Sequence, residues 1–299
     1  MILFNSSHPI LDNLSHESLS IFYWVGFNYP LQASLSMVLV SPTILKREVE
    51  GHPILEKALR MLERSQQVQA YLSMANVMAV QRLLYNDHGP VHSRIVAGSA
   101  LSILNILMDR GFIPSVVRDG VGDEEDSKLV VMVGAYLHDI GNAVHREFHN
   151  LSGVALASRF LPRMLNKIYG DPVKAYKITS EILHCIFSHD ENIHALSLEA
   201  GVVKVADGVD MAGGRARIPY KHGKSDIHAL SALAIKKVEI VEGEPNERPI
   251  RIVVDMENEA GVFQIEHVLG KKIMTSGLSR FIEIEALKQG MSFKIIRFG

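Results

Sequence analysis

His138 and Asp139, at the end of the uncharged run in VVMVGAYLHDIGN (130–142), bring an imidazole and a carboxylate side by side. Such a pair can hold a borderline divalent cation, or it can be a buried histidine bonded to an aspartate that caps the next turn. Neighbouring helix positions point about 100° apart, so both side chains reach one ion only at the helix end, or if Asp139 bridges to a second ion. Fourteen histidines occur in 299 residues, most of them between 88 and 228. Imidazoles mixed with carboxylates suit Mn, Fe, Ni or Zn better than a dedicated Mg site, which is nearly all oxygen. The single cysteine, Cys185, excludes an internal disulfide and a cysteine-rich structural zinc site.

The elements that must position these groups read as helices. The run 130–137 is apolar all round, as a buried helix is, and Gly141 is a natural stop just past its end. ILEKALRMLER after Pro53, SQQVQAYLSMANVMAVQRLLYN up to NDHGP, and VHSRIVAGSALSILNILMDRG each carry apolar residues at helical spacing. RDGVGDEEDSK (118–128) reads as an acidic surface loop. NAVHREFHNLSGVALASRFLPRMLNKIYG is largely helical, broken or kinked at Pro162, and Asp171-Pro172 caps a helix that runs to His189. A further helix contains Asp207, and residues 226–237 are helical after a Gly-rich basic loop. His92 therefore opens one helix, His138-Asp139 end another, His149 starts the next and His189 ends a later one. From about 236 the texture changes to short alternating β-branched segments, KVEIVEG, PIRIVVDME and SRFIEIEAL, with one helix between the last two. The expected architecture is mainly α: a helical bundle over 49–235, a small α+β unit of β-β-α-β order over 236–299, and an N-terminal extension over 1–48.

VHSRIVAG (91–98), AYLHDIGN (135–142) and VKVADGVD (203–210) together resemble the HD-domain superfamily of metal-dependent phosphohydrolases. The resemblance implies that His92, His138, Asp139 and Asp207 hold a first ion. HNLSG (149–153) and IFSHDE (186–191) are similar to stretches of the binuclear, HD-GYP-like branch, which implies that His149 and His189 hold a second ion bridged by Asp139. Asn142 stands where the common motif has Lys, HDE replaces HHE, and no GYP sequence follows, which argues against cyclic di-GMP as substrate. The implied activity is hydrolysis of a phosphoester, of a nucleotide or cyclic nucleotide, by a water activated by one or two divalent ions (Mn, Fe, Ni, Co, Zn or Mg). Asp139 is the central ligand in this reading, His145 protonates the leaving alkoxide, and Arg215, Arg217 and Lys221 neutralise the phosphate. A catalytically silent, nucleotide- and metal-binding regulatory protein is the alternative.

His145 and His149 stand at i and i+4, one helical face, yet the Glu of a protease H-E-x-x-H is absent. Arg94 can pair within the bundle, His184 faces away from His189, and His88 lies in the entry to His92. With 31 basic and 33 acidic side chains and a charge of −2, nothing recommends a nucleic acid or an anionic membrane as partner. Residues 1–45 contain no Lys or Arg, and IFYWVGFNYPLQASLSMVLV is interrupted by Asn28, Pro30 and Gln32, which disfavours a signal peptide or anchor. A cytoplasmic protein acting on a small phosphorylated substrate, possible as a homodimer, is the expectation.

Overall fold

The computed structural model describes residues 37–213, 227–244 and 247–299. Arg215, Arg217, Lys221 and residues 1–36 of the N-terminal extension lie outside the described residues. The helices are α1 (Ile44–Val49), α2 (Pro53–Arg64), α3 (Gln66–Asn76, continuing as a π-helical turn Val77–Arg82), α4 (Pro90–Asp109), α5 (Ser115–Arg118) and α6 (Glu124–Leu137). A 3₁₀ turn, Ile140–Ala143, leads to α7 (His149–Ala157), α8 (Leu161–Tyr169), α9 (Pro172–Ser188), α10 (Leu198–Val209) and α11 (Ile227–Leu233). Local chemistry accounts for the starts. Pro53, Pro90 and Pro172 lie in first turns, where a missing N–H costs nothing. The Asp171 carboxylate accepts from the N–H groups of Val173 and Lys174.

The bundle is built around α6, which packs against α4, α9 and α10 and is buried over nearly its whole length. Its start corrects the acidic-loop reading of 118–128. Asp123 and Asp126 form a reciprocal capping box, and Asp126 is buried, accepting from the Tyr169 hydroxyl at 2.7 Å and pairing with Lys174 at 2.7 Å. Composition cannot distinguish an acidic helix start of this kind from a solvated loop. Among the described residues, α4 alone is long and apolar enough to cross a membrane, but most of it is buried inside the bundle.

Four C-terminal strands and one strand from before the bundle form one sheet of order β1-β2-β3-β4-β5: β1 (Met37–Leu39), β2 (Ile235–Glu244), β3 (Arg248–Met256), β4 (Ile282–Lys288) and β5 (Met291–Arg297). Neighbours are antiparallel except β3 and β4, which are parallel and joined through α12 (261–275). The β-β-α-β order is present, extended by a strand at each edge. β5 escapes a reading based on burial because Met291, Phe293 and Ile295 are exposed. The Gln289-Gly290 turn before it has both residues at positive φ, as a two-residue hairpin loop requires. The inner face of the sheet, Val238, Ile240, Ile252, Val254 and Ile284, belongs to the same hydrophobic cluster as Leu104, Leu107 and Leu137 of the bundle. The two parts share a continuous core.

Gly141 does a different job from the expected one. Its φ is not positive, so it is no left-handed helix stop. Instead, a Cβ there would lie 1.8 Å from the His149 carbonyl oxygen and 2.4 Å from the Gly153 nitrogen. The glycine lets the turn after Asp139 lie directly on the first turn of α7, which brings His149 to Asp139. Gly141→Ala is expected to destabilise the protein by about 3 kcal/mol, the upper end for overpacking, measured by urea unfolding of the metal-free chain.

Candidate metal centre

Six side chains from five helices converge. His92 lies in the first turn of α4, and His138 and Asp139 follow the last turn of α6. His149 opens α7, His189 follows α9, and Asp207 lies in the last turn of α10. Three helix C-termini, those of α6, α9 and α10, meet there against two N-termini, those of α4 and α7, so the helix ends leave a small net negative field that favours a cation. His92, His138, Asp139, His149 and His189 are buried.

Hydrogen bonds fix the imidazole tautomers. Nδ1 of His138 meets the Ala135 carbonyl oxygen at 2.7 Å, Nδ1 of His149 that of Arg146 at 3.0 Å, and Nδ1 of His189 that of Ile186 at 2.6 Å. Each partner is the carbonyl three residues earlier. A carbonyl only accepts, so each Nδ1 carries the proton and donates it. His92 Nδ1 faces the buried Asp210 carboxylate at 2.7 Å to the same effect. All four Nε2 lone pairs then turn inward. His92 and His138 Nε2 lie 3.2 Å apart, and those of His149 and His189 lie 2.9 Å apart.

The carboxylates complete two groups. Asp139 Oδ2 is 3.5 Å from His92 Nε2 and 3.3 Å from His138 Nε2, while Asp207 Oδ1 is 3.2 and 3.5 Å from the same two atoms. The other oxygen of Asp139, Oδ1, is 3.5 Å from His149 Nε2 and 3.6 Å from His189 Nε2. Nitrogens and oxygens this close repel unless a proton or a cation lies among them, and a cation can serve both groups. The donor set, neutral imidazoles with carboxylates and no thiolate, therefore fits a divalent ion.

Titration tells the same story without metal. Burial opposes a charged His138, but Asp139 and Asp207 overcome it and push its pKa up to about 9, so a proton occupies the negative spot. Burial also opposes charged carboxylates. Even so, His138 and His88 hold Asp139, and Lys272 and His138 hold Asp207, well below the ordinary range. Burial and the neighbouring His189 bring His149 down to about 3, leaving its lone pair free.

Several polar groups around the centre carry no sequence motif. His88 Nδ1 lies 2.5 Å from Asp139 Oδ2, which makes this loop residue part of the centre. Asn142 Nδ2 donates to Asp139 Oδ1 at 2.8 Å and its oxygen accepts from Arg146 at 3.2 Å. Asp210 stands in the quoted stretch VADGVD, three residues after Asp207, and its spacing was the available signal. Replacing Asp210 by alanine should weaken metal binding about 10- to 100-fold by releasing the His92 ring, with an unchanged circular dichroism spectrum; calorimetric titration of the stripped protein measures it.

His145 is placed elsewhere. It is exposed in the segment before α7, its Nδ1 accepts from the Glu147 N–H at 3.0 Å, and it does not line the cavity over the centre. The i, i+4 reading assumed a helix through 145–149, but Phe148 adopts φ 56° and starts α7 afresh at His149. Arg146 lines the cavity instead, 4.0 Å from Asp139 Oδ1. Arg94 pairs with Glu63 at 2.7 Å, and His184 bonds Ser188 and the Leu196 N–H away from the centre.

Residues 91–212 match the HD domain family. An uncharacterized protein of Methanocaldococcus jannaschii is 49% identical over 225 residues, covering 75% of this chain and 86% of that one. No solved structure matches the chain.

Proposed function

Because the chain belongs to the HD-domain family, we propose that its His/Asp centre binds two divalent ions and hydrolyses a phosphoester of a small substrate, with nucleotides and cyclic nucleotides the first class to test. The observation that carries this reading is the division of Asp139: one oxygen faces His92 and His138, the other His149 and His189. A carboxylate between two imidazole pairs is the arrangement a bridging ligand needs. When bound, divalent ions supply acidification of water and neutralisation of phosphoryl charge.

The chain's own residues do the rest. Asn142 holds the Asp139 carboxylate in place through Oδ1 and the main-chain oxygen. Arg146, partly exposed at the cavity, offers a forked cation to a non-bridging phosphate oxygen. Arg215, Arg217 and Lys221 follow Met211, which lines the cavity, by no more than ten residues, and are assigned to the outer phosphate or leaving group. The cavity holds about 160 Å³, below the roughly 300–1,000 Å³ that encloses a drug-sized ligand. It accepts the phosphoryl group and leaves most of the substrate at the mouth. His145, as placed, is not poised over the cavity, so protonation of the leaving group falls to water or to a residue brought in with substrate.

The test is turnover of bis-p-nitrophenyl phosphate, nucleoside mono- and triphosphates and cyclic nucleotides by stripped protein reloaded with Mn, Ni, Co, Zn or Mg. Metal-dependent hydrolysis of at least one phosphoester is expected. Tight binding of metal and nucleotide without turnover of any substrate would show the regulatory alternative instead.

A further inference from the structure

The cavity over the metal centre is not walled by the HD-matched residues alone. Gln264, Val268 and Lys272, four residues apart along α12, all line it, and α12 belongs to the C-terminal α+β part, well beyond residue 212. Of the three, Lys272 reaches furthest. It is buried, and its Nζ donates to Asp207 Oδ2 at 2.8 Å and to the His189 carbonyl oxygen at 3.0 Å. One ammonium therefore ties a carboxylate of the first group to the backbone of the second.

The two oxygens of Asp207 are thereby divided: Oδ1 faces His92 and His138, and Oδ2 is committed to Lys272. The ammonium occupies a lone pair of Oδ2 and holds the carboxylate with Oδ1 turned to the imidazoles, which disfavours chelation of one ion through both oxygens. We propose that Lys272 is a positioning residue that keeps Asp207 a one-oxygen ligand, and that the C-terminal part thereby keeps a coordination position open for water and the substrate phosphate. This rests on the metal-centre reading above. The ammonium also offsets one carboxylate charge, so removing it makes the centre more anionic and no poorer in ligands. Metal should therefore stay while turnover is lost, the reverse of what removal of a ligand does.

Two variants test this, with Lys271→Met, an exposed neighbour, as control. Lys272→Met should bind Mn²⁺ with unchanged stoichiometry and affinity no weaker than wild type. Its visible absorption with Co²⁺ should weaken as the freed Asp207 oxygen joins the ion, and kcat should fall about 10- to 100-fold with KM within about threefold. Lys272→Ala should regain the wild-type cobalt spectrum and part of its kcat in exogenous propylamine, a response that a packing defect would not show and that still decides the matter if the methionine variant fails to fold. A wild-type cobalt spectrum in Lys272→Met, loss of metal from it, or failure of propylamine to restore Lys272→Ala overturns the proposal. A wild-type protein that binds metal but hydrolyses nothing sinks the phosphohydrolase reading alone, because the cobalt spectrum reads Lys272 without turnover.

Discussion

Asp139→Ala is expected to abolish tight binding of both ions and to lower turnover by on the order of 10³-fold or more, the scale on which loss of a single stabilising contact to developing charge already acts. Asp139 is 2% exposed and lies within 3.6 Å of His88, His92, His138, His149 and His189. Among the described residues no other carboxylate is shared by the two imidazole pairs, so its removal leaves each pair with nitrogens facing across 3.2 and 2.9 Å. His138 loses one of the two anions that raise its pKa, and Asp207 is left as the sole anion of the first group. Asp139→Asn separates shape from charge: it keeps the side-chain volume and removes the negative charge, and should behave nearly as badly. Inductively coupled plasma analysis of the purified variants, with turnover of the best substrate found, reads both effects. Two retained ions with wild-type kcat in Asp139→Ala would remove the centre from the mechanism.

The second large effect concerns stoichiometry. His149→Ala and His189→Ala should each lower bound metal from two ions to one and cut turnover by on the order of 100-fold, while the far-UV spectrum stays native. The argument is geometric: Nε2 of His149 and of His189 meet Asp139 Oδ1 and each other within 3.6 Å, whereas His92, His138, Asp139 Oδ2 and Asp207 form a four-residue group without them. Two bound ions would neutralise the attacking and leaving oxygens together, and a single ion would leave the second oxygen to Arg146. His92→Ala, by contrast, should reduce both occupancies, because the shared Asp139 loses its partner on the first side. Unchanged metal content and full activity in both α7 and α9 variants would reduce the centre to its four-ligand half.

The candidate ligands were legible in the sequence for a physical reason. Each of His92, His138, Asp139, His149 and His189 sits at a helix end, and helix ends are marked by proline, capping residues and breaks in apolar periodicity. The bundle and the β-β-α-β order were readable from the same periodicities. What escaped depends on contacts across large separations or on backbone conformation. Lys272 meets Asp207 from 65 residues away, and nothing in GKKIM distinguishes it from Lys271, which is exposed. Asp126 reads as one acid in an acidic run, yet Tyr169 and Lys174 make it a buried partner. His145 was paired with His149 by helical spacing, and one left-handed residue, Phe148, undoes that spacing. β1 and β5 lie at the sheet edges, where each buries a single apolar residue, Val38 and Ile296, among exposed apolar neighbours, so the alternation is hard to read.

Three of the four imidazoles are steered by main-chain carbonyls of Ala135, Arg146 and Ile186, and only His92 depends on a side chain, Asp210. A main-chain carbonyl survives any substitution at its position that keeps the local backbone. Sequence drift at 135, 146 and 186 therefore leaves His138, His149 and His189 aimed as they are, and tolerance to mutation is unevenly spread around the centre. A saturation library scored for retained metal should accept varied residues at those three positions within the limits of packing, and should be nearly closed at 210. In descent as in the laboratory, the first imidazole is where this centre can be loosened by changing a residue that never touches an ion.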